Sequence, residues 1–464
     1  MTAFSSSQGR PAKAAAALVV TLALFAGIPE VSAETLEQAL AMAYESNPTL
    51  MARRAQLRAA DESVPQALSG WRPKVTMSGD VARSQSYSNT RSSPTSRYTS
   101  PYTSELKVTQ PLYNASTSPA VARAEHQVRA ERAALHSAEQ AVLQSVINAY
   151  LAVIRDQAIV ELNINNEQRL RRQFEATNDR FRVGEVTRTD VSQAQARVAR
   201  STADRVQAEG NLAASRAVYR NVVGISPADL VAPEALKELP ATADETLAIA
   251  AVQNPDVKSA EFTSLAAQEN VRAIEGELWP VFDMVGSLST DDHVTNGNSH
   301  SNAASITAEV TVPLYTTGSV AARIRAAKQT VEQRRQQLDE ARRDAMETAT
   351  RSWELLKTAQ ASLRAFSAEI QASQIALEGV EKEALVGSRT VLDVLDAEQE
   401  LLNARVRQVV ARRDEVASSY QVKSAVGGLT ARDLGLPVQI YDEERNYNNS
   451  RGKWLGNSIE GEKE

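Results

Sequence analysis

Apolar positions along the chain recur with two alternating periods. From Ala115 to Val183 the small and apolar residues Val121, Ala124, Val128, Leu135, Ala138, Val142, Val146, Ala149, Val153, Val160, Ile164, Leu170, Phe174 and Phe181 fall mostly three or four apart, with a few wider steps. A mean spacing near ~3.5 predicts a helix that packs along its neighbours for many turns. No Gly or Pro interrupts it between Ala120 and Val183. About seventy residues at ~1.5 Å each make a rod of roughly 100 Å, several times a bilayer core. A second such run extends from Ser319 to Val386, with Val331, Leu338, Ala345, Leu356, Leu363, Ile370, Leu377 and Ala384 in its seam. Many seam residues are Ala, so little apolar area is buried per turn at ~25 cal/mol per Å². Each helical hairpin therefore requires neighbours on both sides.

Before each long helix the period changes to two. Leu106, Val108, Gln110 and Leu112 alternate with Glu105, Lys107 and Thr109, and Ile306, Ala308, Val310 and Val312 alternate with Ser305, Thr307, Glu309 and Thr311. Val75, Met77 and Val81, and later Phe282, Met284 and Leu288, begin the two hairpins. The tracts Ser84 to Ser104 and Ser289 to Ala304, rich in Ser, Asn, Thr and Gly, are expected to be long polar loops. About four strands cannot close a membrane barrel, for which ~8 is the minimum. An open sheet edge is excluded from lipid. If the sheet lies in a membrane, several copies of the chain share one barrel around a cyclic axis; a soluble antiparallel sheet is the alternative.

The pattern occurs twice in one order. Asn47-Pro48 returns as Asn254-Pro255, Trp71-Arg72-Pro73 as Trp279-Pro280, and Pro111-Leu112-Tyr113 as Pro313-Leu314-Tyr315. Gly184 to Asp190 returns as Gly387 to Asp393, and Tyr219 and Pro233 have counterparts in Tyr420 and Pro437. A duplicated structural unit follows. The first repeat spans 34–233, with a β-hairpin at about 74–113 and a helical hairpin at about 115–223. The second spans 234–437, with a β-hairpin at about 281–315 and a helical hairpin at about 319–427. Residues 438–464 form a polar C-terminal tail, in which Asp442 to Glu464 is expected to be disordered.

Residues 1–33 read as a cleaved signal peptide: Arg10 and Lys13, an apolar stretch from Ala14 to Ala26, and Val31-Ser32-Ala33 before Glu34. No later stretch is long enough for a spanning helix. The chain has no Cys, hence no disulfide framework and no lipidated cysteine. A net charge of -6 spread along the chain argues against nucleic acid. His126, His136, His293 and His300 lack ligand spacing and are expected to be solvated. No Walker sequence, nucleophile elbow or paired catalytic His is present, so no enzyme and no cofactor is expected.

The two Gly-x-x-Thr-x-x-Asp segments read as helical tips. Gly184 and Gly387 suit the left-handed closing residue, and Thr187 with Asp190, and Thr390 with Asp393, form capping boxes. Asp396 and Arg389 are not explained by capping, since the first copy has Gln193 and Val186 there. Asp396 shares a helical face with Asp393.

With these motifs repeated in order, the chain resembles the TolC family of outer membrane exit ducts from Glu34 to about Tyr441. The resemblance implies a homotrimer that is mainly α with a small β part. Long α-helical hairpins would form an α-barrel through the periplasm, below a twelve-stranded transmembrane β-barrel with four strands from each protomer. It implies a passive duct for drugs, detergents or secreted proteins, opened by a periplasmic adaptor protein and an inner-membrane transporter of ABC or RND type. At the periplasmic gate it places Asp393 and Asp396 at the constriction, where stacked carboxylate rings favour cations and could hold a metal ion. It places Arg389 and Asp190 in the link between neighbouring hairpins. Leu385 stands where the family has a supporting Tyr, so one hydrogen-bond donor of that link is missing. A periplasmic coiled-coil adaptor or scaffold is the rival reading; it shares the helices but lacks the oily strands.

Overall fold

The computed structural model describes residues 34–90, 93–293 and 299–459; the expected signal peptide lies outside them. In chain order the elements are α1 (Leu36–Ser46), α2 (Pro48–Asp61), α3 (Ser63–Leu68), β1 (Lys74–Val81), β2 (Ser84–Thr90), β3 (Ser93–Thr99), β4 (Tyr102–Tyr113), α4 (Thr117–Arg182) and α5 (Arg188–Val223). Then follow α6 (Ala243–Gln253), α7 (Pro255–Gly276), β5 (Val281–Asp292), β6 (His300–Thr311), α8 (Ser319–Leu385), α9 (Val391–Ala425) and α10 (Arg445–Arg451). The chain is mainly α with a small β part.

Strands β1, β4, β5 and β6 form one antiparallel sheet in that order. Its register puts Val75 opposite Val108, Met77 opposite Leu106, Leu106 opposite Leu288, and Phe282 opposite Val310. Every one of these side chains therefore lies on one face, while Lys74, Thr76, Lys107, Thr109, Thr307 and Glu309 lie on the other. The apolar face is bare: Met77 is 81% and Ile306 83% exposed. Within one chain β1 and β6 are the unpaired edges of this sheet. The tract from Ser84 to Ser104 differs from expectation. Its Ser, Thr and Tyr residues pair as the separate hairpin β2–β3, with Tyr87 opposite Ser96 and Tyr98 opposite Gln85. Small polar residues there lack an oily face but retain β propensity in Thr and Tyr. In the second copy β5 and β6 likewise run on to Asp292 and His300.

Helices α4 and α8 are continuous over 66 and 67 residues. Their returning partners α5 and α9 have only 36 and 35, so each covers about half of its long helix. The other half of α4 packs on α7 and on α1 to α3, and that of α8 on α6 and α7. This supplies the neighbours that the thin Ala seam requires. Gly276, at the end of α7, allows the closest approach: a Cβ there would sit 2.6 Å from the backbone nitrogen of Ser116.

The main apolar core lies midway along α4, where Leu143, Val146, Ile147 and Tyr150 meet Leu40, Leu50, Tyr219 and Leu429. The buried Tyr150 hydroxyl lies 2.8 Å from the Glu34 carbonyl and 2.7 Å from the Val231 carbonyl, which share its single proton. The Asn-Pro pairs recur here in the same role. The Asn47 side-chain oxygen accepts from Thr49 N–H at 2.9 Å and its amide donates to the Val222 carbonyl at 3.0 Å. Asn254 accepts from Asp256 N–H at 2.9 Å and donates to the Ala425 carbonyl at 3.2 Å. Each Asn starts one helix and satisfies a last-turn carbonyl of the returning helix, with Pro at the first position, where no N–H is needed.

The segment from Asp442 to residue 459 corrects the expectation of disorder. Residues 438–459 run back along α2 and α4, with the Tyr441 N–H donating to the Tyr44 hydroxyl (3.1 Å) and Asn446 to the Asp61 carboxylate (2.8 Å). Arg132 pairs with Glu444 at 3.2 Å, Arg451 with Glu125 at 3.1 Å, and Arg72 donates to the Lys453 carbonyl at 2.8 Å. A polar composition orders here because each polar group meets a fixed partner.

Candidate functional site

The far ends of the two helical hairpins carry the residues singled out by the sequence. Gly184 has φ 82° and Gly387 φ 79°, in the left-handed region where a Cβ is costly. At the first tip Gly184 N–H donates to Phe181 O (3.0 Å) and Glu185 N–H to Arg180 O (2.9 Å); at the second, Gly387 N–H donates to Ala384 O (3.2 Å) and Ser388 N–H to Glu383 O (3.0 Å). These pairs satisfy the carbonyls left over at each helix end. The Thr187 hydroxyl accepts from Asp190 N–H, while the Asp190 carboxylate accepts from Thr187 N–H at 2.8 Å. Thr390 and Asp393 repeat this with distances of 3.2 and 2.9 Å. The bonds from Thr390 hold the Asp393 carboxyl below the usual range for aspartate, with Arg389 a smaller cause.

Arg389 and Asp396 are also engaged. Arg389 Nε donates to Glu383 Oε2 at 2.9 Å, across its own turn. Asp396 accepts a hydrogen bond from Arg197 of α5, so it ties the second hairpin to the first. Arg389 and Asp190 form no ion pair within the chain. Leu385 ends α8 with its side chain bare, and Val183 and Val386 are equally open. Among the described residues no group of three or more His, Cys, Asp or Glu is placed to hold a metal ion; a cation at Asp393 and Asp396 would need carboxylates from several chains.

Arg197, Glu383 and Glu398 went unnoticed in the sequence. Glu383 and Arg389 bracket the tip glycine, a local signal for an ion pair across the turn. Arg197 lies two helical turns beyond Asp190, on the same face of α5. Glu398 is buried on α9; desolvation raises its carboxyl above the usual range, and the positive charge of Arg169 opposes this more weakly.

Further along the first hairpin, the buried Glu167 of α4 accepts from Thr202 (2.7 Å) and Arg205 (2.6 Å) of α5 and from Arg171 Nε (3.2 Å). The Thr202 hydroxyl and the two guanidiniums hold its carboxyl down to about 2. Seventeen residues before each tip glycine, the second copy has Ile370 in place of Glu167. Ile370 packs beside Leu377, Val394 and Leu401. The repeat thus keeps its backbone and exchanges a charged joint for an oily one.

Two histidines correct the expectation of solvation. His126 stacks on Phe262, with ring centroids 6.4 Å apart. His136 Nε2 is 2.9 Å from Glu443 of the C-terminal segment, and Nδ1 is 3.9 Å from Glu139. The bond to Glu443 raises the His136 pKa above 6.5 against the opposing effect of burial.

Among the described residues no helix is long and apolar enough to cross a membrane. The four-stranded sheet keeps one apolar face exposed. A family model, the outer membrane efflux protein, matches residues 39–224 and again 246–428, one match for each copy of the pattern. The outer membrane efflux protein BepC of Brucella suis is 34% identical over 444 residues, covering 95% of this chain and 96% of its own. The outer membrane protein TolC of Vibrio cholerae is 27% identical over 426 residues, covering 90% and 96%. Among solved structures, the Campylobacter jejuni CmeC outer membrane channel superposes with a TM-score of 0.76 over 90% of this chain and 89% of its own, at 16% identity. The chain belongs to the outer membrane efflux protein family.

Proposed function

We propose that three copies of this chain form an outer membrane exit duct that an adaptor and an inner-membrane transporter open from the periplasmic side. The observation that carries this reading is the sheet with one bare apolar face and two free edges. Neither feature is tolerable in lipid unless the sheet closes with other copies. Two copies would give eight strands, whose interior is filled by side chains. Three copies of the four-stranded sheet give twelve strands, enough for a lumen. The strands would lie in the outer membrane, and the helices, roughly 100 Å long, would cross the periplasm. Export through residues 1–33 as a cleaved signal peptide is the route this requires.

Family membership sets aside the adaptor and scaffold alternative: the chain is an efflux and secretion channel component. The duct is passive, and its cargo, drugs, detergents or secreted proteins, is selected by the transporter, of ABC or RND type. The tips would form the periplasmic gate. Arg389 is held by Glu383 and Asp190 by Thr187 within one chain; an Arg389 to Asp190 contact would then join one chain to the next. Six carboxylates from Asp393 and Asp396 of three chains would make the constriction cation-selective.

The direct test is extraction and mass. The reading expects the protein to leave membranes only in detergent and to sediment there as three copies. Release by salt alone as a monomer would contradict it.

A further inference from the structure

The strand ends nearest the helices form one rim of the four-stranded sheet: β1 begins at Lys74, β4 ends at Tyr113, β5 begins at Val281 and β6 ends at Thr311. Three of the chain's four tryptophans belong to this rim. Trp71 precedes β1 and Trp279 precedes β5, one in each copy of the repeat. Trp454 lies outside the repeat and is brought there by the C-terminal segment. Arg72 holds it in place. The guanidinium lies 5.0 Å from the centre of the Trp454 ring and donates to the carbonyls of Lys453 at 2.8 Å and Arg451 at 3.3 Å. Just beyond the ring Gly456 takes φ 104°, open to glycine at no steric cost, and the Lys453 ammonium donates to the Ser458 carbonyl at 2.7 Å. The result is a closed turn with Trp454 and Leu455 in its bend, 64% and 90% exposed. At the same level of the sheet Trp279, Leu314 and Tyr315 are also exposed. Among the described residues Arg72, Lys74 and Lys453 have no carboxylate partner.

We infer that the C-terminal turn 453–458 is an anchor for phospholipid, seated where the barrel leaves the periplasmic leaflet of the outer membrane. Trp454 and Leu455 enter the boundary between acyl chains and headgroups, and Arg72, Lys74 and Lys453 meet lipid phosphates. The inference rests on the reading that the sheet closes within the outer membrane. A ring with an apolar body and one polar N–H is most stable at such a boundary, and long cationic side chains reach from it to the headgroups. The bare face of the sheet ends at this rim, so the turn continues the surface that meets the acyl chains. Interfacial segments seat their apolar side chains about 5–10 Å deep, within reach of a Trp and a Leu on a short turn. The ion pairs of Arg132 with Glu444 and of Arg451 with Glu125 lead the segment along the helices to this level. Phosphates of anionic lipid complement the unpaired cations.

Fluorescence quenching by brominated lipid tests this without reference to conduction. Full-length protein that keeps Trp454 as its only tryptophan, through Trp71→Phe, Trp279→Phe and Trp353→Phe, is reconstituted in vesicles of phosphatidylethanolamine with phosphatidylglycerol as the minor component. A second protein has all four tryptophans replaced by Phe and carries Met77→Trp, at a position 81% exposed on the apolar face of the sheet. Bromine on the acyl chains should quench both proteins, and Trp454 should respond more to bromine near the headgroup than to bromine near the chain ends. Arg72→Gln should shift Trp454 emission to the red and weaken its quenching, while the same change leaves Met77→Trp quenched. Replacing phosphatidylglycerol with phosphatidylcholine should weaken quenching of Trp454 alone. If Met77→Trp is quenched and Trp454 is not, whether aqueous iodide reaches it or a neighbouring chain covers it, the anchor is overturned and the barrel stands. Quenching of Trp454 without Met77→Trp would support the anchor and remove the barrel, and quenching of neither would overturn both.

Discussion

The side-chain amide of Asn47 donates to the carbonyl of Val222 at 3.0 Å, joining the start of α2 to the end of α5. Asn254 makes the same bond to Ala425. Two functions, helix cap and inter-helix tie, fall on one side chain. Asn47→Ala and Asn254→Ala should each cost about 1 to 2 kcal/mol, the range for a lost N-cap with a further unsatisfied carbonyl. Asn47→Asp keeps the cap and loses the tie, so it should recover part of the loss. Thermal unfolding followed by circular dichroism measures both, and equal loss in the Asp and Ala variants would assign everything to the tie.

Glu167 should matter more than its counterpart position suggests. Its carboxyl titrates lower in the folded protein than its ordinary value of 4.5, so its stabilisation is fully present above 4.5 and is lost as pH falls toward about 2. Glu167→Gln leaves Arg171 and Arg205 without their acid and should destabilise by about 2 kcal/mol at neutral pH. The variant should also show a flatter acid unfolding curve between pH 4.5 and 2. A neutral-pH melting temperature equal to wild type would remove the joint between α4 and α5 from the account.

The C-terminal segment should be held in a pH-dependent way. His136 has its folded pKa raised above 6.5 by Glu443, with Glu139 adding to the effect and Lys258 opposing it. The tie is therefore complete below 6.5 and is lost as pH rises through the folded pKa. Limited proteolysis after Tyr441 should accelerate on going from pH 6 to pH 8 in wild type. His136→Phe should cleave at the faster rate at both values. A cleavage rate in wild type that is flat across this range would show that Arg132, Arg451 and Arg72 hold the segment alone.

If the proposed contact between chains joins Arg389 to Asp190, Arg389→Ser and Asp190→Asn each remove one side of a charge-assisted bond and are expected to increase conductance and antibiotic uptake. The Asn variant keeps the cap, so its effect isolates the charge. Asp393→Ala with Asp396→Ala should abolish block by multivalent cations. Wild-type uptake in both single variants, or block that survives in the double variant, would move the gate away from these residues.

The sequence carried the strands and long helices because alternation in Val75 to Val81 and Ile306 to Val312, and the seam from Val121 to Phe181, are set by burial on one face, which periodicity reports directly. The tip turns were readable for the same local reason: Gly184 and Thr187 act within a few residues. What escaped was long-range or composed of polar groups. The bond from Arg197 to Asp396 spans 199 positions and has no periodic trace. The hairpin β2–β3 has no oily face to announce it, and the segment from Tyr441 onward orders through partners such as Asp61 and Glu125 that lie far back in the chain. Glu167 and Ile370 show a further limit, since equivalent positions of a repeat can solve the same joint with opposite chemistry.

The measurement that bears most directly on the whole account is ion conductance of the detergent-purified oligomer in a planar lipid bilayer, with reversal potentials read in a salt gradient. A small, long-lived, cation-selective conductance is predicted, from a closed barrel in series with an acidic constriction. A folded, helical preparation that never inserts, or one that inserts with anion selectivity, would contradict the shared barrel in the first case and the carboxylate gate in the second.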